Sequence, residues 1–414
     1  MHILLVNQYA GSERHGMEYR PFQFAREWAR SGHRVTIAAG SFSHVRQVNP
    51  NFKGMHQEEF IDGVRYIWFK TPTYHGNGLA RARSMLSFSR LARYKLPNLL
   101  ADDPPSCVIA SSTHTLDAFS TIRIARRFDI PLIYEVHDLW PLSPIELGGI
   151  SRWNPFMLML QIGENMLCRN ASSVISILPL TESHLTEHGL GSGRFHHVPN
   201  GIDIDQWNSS ALPLPDHVQS TIDECRAQGH MLVGYAGSHG PANSLNTLLD
   251  AANQLEGKGV SFLLVGDGSL KQDLVAAKQS IGLQNVHFLD AIPKRAVRRF
   301  VESMDVLYIG WRKQPLYRFG ISPNKLMDYM MAGKPIIQGI DAGNDIVAEA
   351  ECGLSIGAED PDALSEAVIE MQAMSQKERA ELGNSGRTWV LENRDLKILA
   401  DKALSAMSNT SKGT

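Results

Sequence analysis

The sequence predicts an α/β protein built from two doubly wound, Rossmann-like domains, and three observations lead there. Short continuous apolar runs alternate with helical patterns in both halves of the chain, as in a parallel sheet covered on both faces. The alternation pauses once, at Val198-Pro-Asn-Gly-Ile-Asp-Ile-Asp-Gln-Trp207 and the Pro-rich Leu212-Pro-Leu-Pro215, and then restarts. At 414 residues the chain is also too long for one ordinary core.

The elements follow in order. In the first half Ile3–Val6, Val35–Ala39, Val64–Phe69, Cys107–Ala110, Leu132–Val136 and Val174–Ile177 read as buried strands. A Gly-containing loop, Ala10-Gly-Ser-Glu-Arg-His-Gly16, follows the first strand, and a helix from about Pro21 to Arg30 ends at Ser31-Gly32-His33. The second half repeats the pattern with Leu232–Ala236, Phe262–Val265, Val286–Leu289, Val306–Ile309 and Ile336–Gln338. The tail from Ser365 to Met407 is helical in pattern, and 408–414 should fray. The expected division is 1–198 and 199–392, with a helix over about 393–410 packing back on the first domain.

Composition narrows the function. Apolar residues at 43% and charged residues at 20% are globular values, and a net charge of −3 gives no reason to expect nucleic acid as a partner. Cys107, Cys168, Cys225 and Cys352 are far apart and form no C-x-x-C pair, which suits reduced thiols in the cytosol. The apolar run Met1–Val6 is too short for a signal peptide, and no stretch is long and apolar enough to span a bilayer. Residues 81–100 differ from their surroundings. Arg81, Arg83, Arg90, Arg93 and Lys95 alternate with Met85, Leu86, Phe88, Leu91 and Leu96, and no acidic residue intervenes. Such a helix suits an anionic membrane surface, with Trp153–Leu160 as a second apolar contact; it equally suits a helix covering the sheet with its basic face in water.

One stretch, Phe319-Gly-Ile-Ser-Pro-Asn-Lys-Leu-Met-Asp-Tyr-Met-Met-Ala-Gly-Lys-Pro335, reads as a helix with both ends written into the sequence. Ser322 is the expected N-cap, Pro323 the first helical residue, and Gly333 with Pro335 the stop. A helix start suits an anion, and Lys325 adds a charge there that otherwise opposes the dipole. Asn324, Lys325 and Asp328 share a face. Two readings stay open: a diphosphate with a sugar hydroxyl at the carboxylate, or a capped helix with a solvated Lys–Asp pair. Gly234-Tyr-Ala-Gly237-Ser238-His239-Gly-Pro-Ala-Asn243-Ser244 is a phosphate-loop candidate, since small residues permit close backbone approach and His239 and Asn243 can donate. Val265-Gly266-Asp267-Gly268 sits at a strand end but is not G-x-G-x-x-G, which disfavours a nicotinamide enzyme. His137 follows a strand directly, where open α/β sheets place ligands, although a lone His is commonly structural. His184-Leu-Thr-Glu-His188 has H-x-x-E-H spacing but reads as a surface helix without an obvious third ligand. Asp203-Ile-Asp205 reads as turn chemistry.

These pieces in this order resemble a GT-B glycosyltransferase of the large retaining family 4 over nearly the whole chain. The match is carried by Gly32-His33-Arg-Val-Thr36, Val198-Pro-Asn-Gly-Ile-Asp203, Val265-Gly-Asp-Gly268, Val286-His-Phe-Leu289 and Lys325-x-x-Asp328-Tyr-x-x-Ala-Gly-Lys-Pro335. Tyr9-Ala-Gly11-Ser-x-x-His15-Gly-Met-Glu18 and Ser322-Pro-Asn-Lys325 are most similar to the WbuB-like branch, L-fucosamine transferases of O-antigen and capsule assembly.

The resemblance implies two Rossmann-like domains facing a deep interdomain cleft. It implies transfer, with retention, of an N-acetylated amino-deoxy sugar from a UDP-sugar to a lipid-linked saccharide acceptor at the cytoplasmic face of the inner membrane. Gly16 would approach the donor phosphate, with His15, Glu18 and Arg20 on the acceptor side of that loop, and His137 would serve the transferred sugar. Gly237, Ser238, His239, Asn243, Gly266, Asp267, Ser322, Asn324 and Lys325 would surround the donor, and Asp328 would hold the ribose hydroxyls. Two positions depart from the family. Gly320 stands where a glutamate is expected, and the usual Arg/Lys diphosphate clamp falls on Ser238-His239 and Asn243, leaving His239, Lys325, Arg312 or Arg318 to compensate. The sequence nominates no second carboxylate near His137, so front-face displacement assisted by the leaving diphosphate is expected, with neither metal nor cofactor required. The alternatives are a UDP-sugar epimerase of the same architecture and a non-catalytic subunit of a polysaccharide assembly complex.

Overall fold

A computed structural model describes residues 1–16, 19–76, 78–209 and 211–408. The expected acceptor residue Glu18 lies outside them. The chain divides into two compact units, Met1–Asn200 with Leu396–Thr414, and Gly201–Asp395.

The first unit holds an eight-stranded sheet: β1 His2–Val6, β2 Arg34–Gly40, β3 His56–Ile61, β4 Val64–Phe69, β5 Cys107–Ala110, β6 Leu132–Val136, β7 Ser173–Ser176 and β8 Phe195–His197. Their order is β3-β4-β2-β1-β5-β6-β7-β8, parallel except for the antiparallel β3/β4 pair. β1, β5, β6 and β7 are buried along their whole length, which explains their continuous apolar reading. β3 was not expected, because His56-Gln-Glu-Glu-Phe-Ile61 is polar and mostly exposed. Its signal is the Asp62-Gly63 turn, with φ of 47° and 83°, the left-handed pair that tight hairpins favour. The last described helix, Leu396–Ser408, joins this unit's core. Leu396, Leu399, Ala400, Ala403, Ala406 and Met407 form one buried stripe among residues that include Trp28. Trp28 Nε1 donates to the Ala400 carbonyl at 3.0 Å.

The second unit has six strands, all parallel: β9 Met231–Ala236, β10 Val260–Val265, β11 Val286–Leu289, β12 Val306–Gly310, β13 Ile336–Gly339 and β14 Gly353–Ile356. Their order is β11-β10-β9-β12-β13-β14. Counted from β9 this is 3-2-1-4-5-6, the dinucleotide-fold order, and its switch point lies between β9 and β12. Ligands of such sheets bind beyond the carboxyl ends of the strands at that point.

The helix that follows β12 differs in one detail from its sequence reading. It spans Asn324–Met331, and Pro323, at φ −78° and ψ 129°, is the N-cap in place of Ser322. The extended ψ puts the proline outside the first turn, so Ser322 is too far back to cap it. The expected stop is present: Gly333 has φ +65° and donates its N–H to the Met330 carbonyl at 3.0 Å.

Candidate active site

In the first unit the loops after β1, β5 and β6 meet. Asn7 Nδ2 donates to the Ser111 carbonyl at 2.7 Å, and the Gln8 N–H donates to Ser112 Oγ at 2.8 Å. His137 stands immediately after β6, and its Nε2 lies 3.1 Å from both Ser111 Oγ and Glu135 Oε2. Ser111 Oγ also donates to Glu135 Oε2 at 2.7 Å, while Glu135 Oε1 accepts from Arg20 Nε at 2.9 Å. Burial alone would raise the Glu135 pKa, but the nearby His137 and Arg20 charges and the hydrogen bonds hold it well below the usual carboxylate range. The ionised carboxylate holds a proton on Nε2, so Nδ1 is the ring nitrogen left to meet a substrate. His137 Nδ1 has no partner among the described residues.

Glu135 is a carboxylate beside His137 that the sequence does not nominate. Its signal was present, because residues i and i+2 of an extended segment face the same side. The apolar character of Leu132–Val136 as a whole masks that alternation. Arg20, expected on the acceptor side of the first loop, is held by the protein itself. Its side chain is turned inward onto Glu135, the Val198 and Pro199 carbonyls at 2.8 Å and Asn200, so it positions Glu135. His15 is buried, hydrogen-bonded through Nδ1 to Ser12 Oγ at 2.8 Å and packed 5.0 Å from the Trp68 ring, which gives it a packing role in the loop. Gly16 has φ +87°, and a Cβ there would lie 2.8 Å from Gln47 Oε1.

In the second unit the switch-point loops converge on Lys325. Its Nζ donates to Tyr235 Oη at 3.0 Å and to Asn243 Oδ1 at 2.5 Å, while Tyr235 Oη and Asn243 Nδ2 both donate to the Ser238 carbonyl. The solvated Lys–Asp pair is therefore not formed. A Cβ on Gly237 would stand 3.1 Å from Lys325 Nζ, so the glycine permits the approach. Burial pushes Lys325 down to about 8. One turn on, burial lifts Asp328 to about 6, against the opposing charge of Lys294. Ser238, Asp267 and Asn324 are exposed, and Ser322, Lys325 and Asp328 are half-buried.

Gly266 and Gly268 are required by the packing of two loops. A Cβ on Gly266 would lie 1.9 Å from the Gly237 carbonyl oxygen, and one on Gly268 2.6 Å from the His239 carbonyl carbon. They let the loop after β10 lie backbone-to-backbone against the loop after β9, sealed by His239 N–H to the Asp267 carbonyl at 2.8 Å. His239 is fully buried, and neither ring nitrogen has a hydrogen-bond partner among the described residues. Burial pushes it down to about 4, with Lys271 and Lys325 adding to the effect. The expected donation from its imidazole to a ligand is not available in this conformation.

Residues 15–201 match the family model described as a glycosyl transferase 4-like domain, and residues 230–373 match glycosyl transferases group 1. The chain is a family 4 glycosyltransferase. Two curated relatives agree. A protein assigned as the teichuronic acid biosynthesis glycosyltransferase TuaH of Bacillus subtilis is 22% identical over 299 residues, 70% of each chain. One assigned as the colanic acid biosynthesis glycosyl transferase WcaI of Escherichia coli is 23% identical over 284 residues, 64% of this chain and 67% of the relative. Among solved structures, Anabaena HepE in complex with UDP-glucose superposes with a TM-score of 0.66 at 16% identity, covering 99% of this chain and all of the other. The two Rossmann-like units are those of the GT-B fold.

For this glycosyltransferase the absence of a glutamate at position 320 has a backbone explanation. Gly320 has φ +93° and ψ 177°, a conformation essentially restricted to glycine. A glutamate there would need a different chain path between the 3-10 turn Pro315–Phe319 and the helix at Asn324. Of the arginines considered as clamps, Arg312 lies 3.7 Å from Glu359 Oε1, and Arg318 donates to the Pro315 carbonyl at 2.7 Å. Lys325 is the cation that the loop after β9 holds in place.

Proposed function

We propose that this glycosyltransferase moves an N-acetylated amino-deoxy sugar, with retention, from a UDP-sugar to a lipid-linked saccharide in surface polysaccharide assembly. The observation that carries the donor half is Lys325, in the first turn of a helix at the switch point and bonded to the loop after β9, with Asp328 one turn on. The helix start and the ammonium would hold the diphosphate, and Asp328 the ribose hydroxyls. The HepE complexes with UDP-glucose and UDP support a uridine nucleotide, and the names of the two curated relatives support polysaccharide assembly.

His137 would serve the transferred sugar and its acceptor through Nδ1, with Glu135 and Ser111 fixing the ring. Glu135 is a poor candidate for a covalent nucleophile, because Arg20, Ser111 and His137 already occupy its two oxygens. That supports front-face displacement, in which the protein stabilises leaving-group charge and the diphosphate assists deprotonation of the acceptor. No metal or cofactor enters this scheme.

The lipid-linked acceptor suits a surface on the first unit. No helix among the described residues is long and apolar enough to cross a membrane. On helix Leu79–Leu99, Leu79, Arg83, Leu86, Arg90 and Tyr94 form one exposed stripe of alternating apolar and basic character. Arg81 and Arg93 are not part of it. Arg81 stacks between the Tyr9 and Trp140 rings, and Arg93 donates to the Phe119 carbonyl at 2.9 Å. Trp153, Leu158 and Ile162 are exposed on and beside helix Pro155–Asn170. We assign the stripe to anionic lipid at the cytoplasmic face of the inner membrane. Replacing Arg83 and Arg90 should release the protein from anionic liposomes; equal binding by both forms would reject the assignment.

The function itself is tested by incubating purified protein with UDP-sugars and lipid diphosphate-saccharides and following products by mass spectrometry. Conversion of a UDP-sugar without acceptor would instead mark an epimerase.

A further inference from the structure

We propose that Glu164, His184 and His188 form a divalent-metal site, suited to zinc, that ties helix Pro155–Asn170 to helix Glu182–Glu187. The site lies outside the donor and His137 clusters and rests on different residues from them. Glu164 is wholly buried, and no lysine or arginine pairs with it among the described residues. A buried carboxylate needs a cation beside it. The groups that face it are His184 Nε2, 3.0 Å from Oε1, His188 Nε2, 3.8 Å from Oε2, and the amide of Gln161, which donates to Oε2 at 2.7 Å.

A proton can bridge the shorter of the two imidazole contacts. It cannot bridge the longer, because 3.8 Å exceeds hydrogen-bonding distance. His188 Nδ1 is 2.8 Å from Asn165 Oδ1, an atom that only accepts, and 3.1 Å from Gln161 Nε2, whose two hydrogens already go to Glu164 Oε2 and Asn165 Oδ1, so the ring proton sits on Nδ1 and Nε2 presents a lone pair. That lone pair therefore faces carboxylate lone pairs with nothing of opposite charge between them. A metal ion resolves this contact and the His184 contact together. Ligands bound at about 2.0–2.2 Å in tetrahedral geometry stand about 3.3–3.6 Å apart, and all three ligand atoms here lie within 4.8 Å of one another. Two histidines and one carboxylate are a donor set zinc accepts, and Asn165 behind His188 is the outer-shell partner that fixes a ligating imidazole. The sequence shows His184 and His188 as an i, i+4 pair; the third ligand lies twenty residues before His184, on another helix, where spacing does not reveal it.

The test uses the full chain, stripped with EDTA, dialysed and titrated with zinc chloride in a calorimeter. Uptake of one equivalent is expected, with affinity falling at least about tenfold in His184→Ala and in His188→Gln. Cobalt(II) in place of zinc should give the visible absorption of a tetrahedral site in the native protein only. Zinc should also raise the native Tm and leave that of His188→Gln unmoved. His188 is partly exposed, so its variant should remain folded even if Glu164→Gln does not. No stoichiometric uptake by the native protein, or equal uptake by the two variants through the other histidines, would overturn the site.

Discussion

Affinity for a UDP-sugar should follow a bell-shaped pH profile, with an acidic limb set by Asp328 and an alkaline limb set by Lys325. Burial lifts the Asp328 carboxyl from 3.8 to about 6. At about 1.4 kcal/mol per tenfold, this is a bias of up to about 3 kcal/mol against the ionised form, an upper figure for a half-buried group. Ribose hydroxyls donating to Asp328 select the carboxylate, so at pH 5, where about a tenth of it is ionised, affinity should be about tenfold below its value at pH 7. Lys325, pushed down to about 8, should cost a similar factor by pH 9 as the ammonium is lost. The sign for stability is opposite. A carboxyl whose folded pKa is raised stabilises the empty protein fully below pH 3.8, and that contribution disappears as pH rises through about 6. The ligand-free protein should therefore lose stability over the same interval in which it gains affinity. Calorimetry with a UDP-sugar such as UDP-glucose is the assay, because its diphosphate is esterified at both ends and lacks the terminal ionisation near pH 6 that would obscure the limb. Asp328→Asn should abolish the acidic limb, keep the alkaline one, and weaken binding at pH 7 by roughly ten- to hundredfold, as for a hydrogen bond to a charged group. An acidic limb that persists in Asp328→Asn would refute the assignment.

Glu135→Gln should be costly in two separable ways. It leaves Arg20 buried without its carboxylate, a loss of about 3–5 kcal/mol visible as a lower Tm, and it frees the His137 ring, so kcat should fall with the donor KM held. A lower Tm with unchanged kcat would make Glu135 purely structural. Gly320→Glu, which restores the family glutamate, should destabilise by about 1–3 kcal/mol and should not improve donor binding, because the backbone there is left-handed. An unchanged Tm with a lower donor KM would contradict that explanation.

Most of the parallel strands of both units were legible because their apolar runs are continuous, which follows from burial on both faces, whereas the partly exposed edge strands Phe195–His197 and Gly353–Ile356 carry no such run. β3 was not, since an edge strand carrying Gln57, Glu58 and Glu59 shows no apolar face and only its Asp62-Gly63 turn marks it. Lys325 and Asp328 could be paired in sequence as neighbours on one helix. The structure instead gives Lys325 to Tyr235 and Asn243, some eighty to ninety residues earlier, through a strand crossover that local periodicity does not encode. His239 and Arg20 show the same limit. Residue type made each a credible ligand contact, whereas burial and inward hydrogen bonding are decided by the packing of loops and helices distant in sequence. Gly320 illustrates the reverse case, in which a departure from a family pattern became intelligible only once its φ was known.

The most direct test of the account pairs transfer with binding in one variant. Native protein on anionic vesicles carrying lipid diphosphate-saccharide should add a sugar from a UDP-sugar, detected as a mass increment on the lipid. His137→Ala should bind the same UDP-sugar with unchanged Kd while turnover falls by roughly a hundred- to ten-thousandfold. No transfer from any UDP-sugar together with no binding of UDP, or full turnover by His137→Ala, would contradict it.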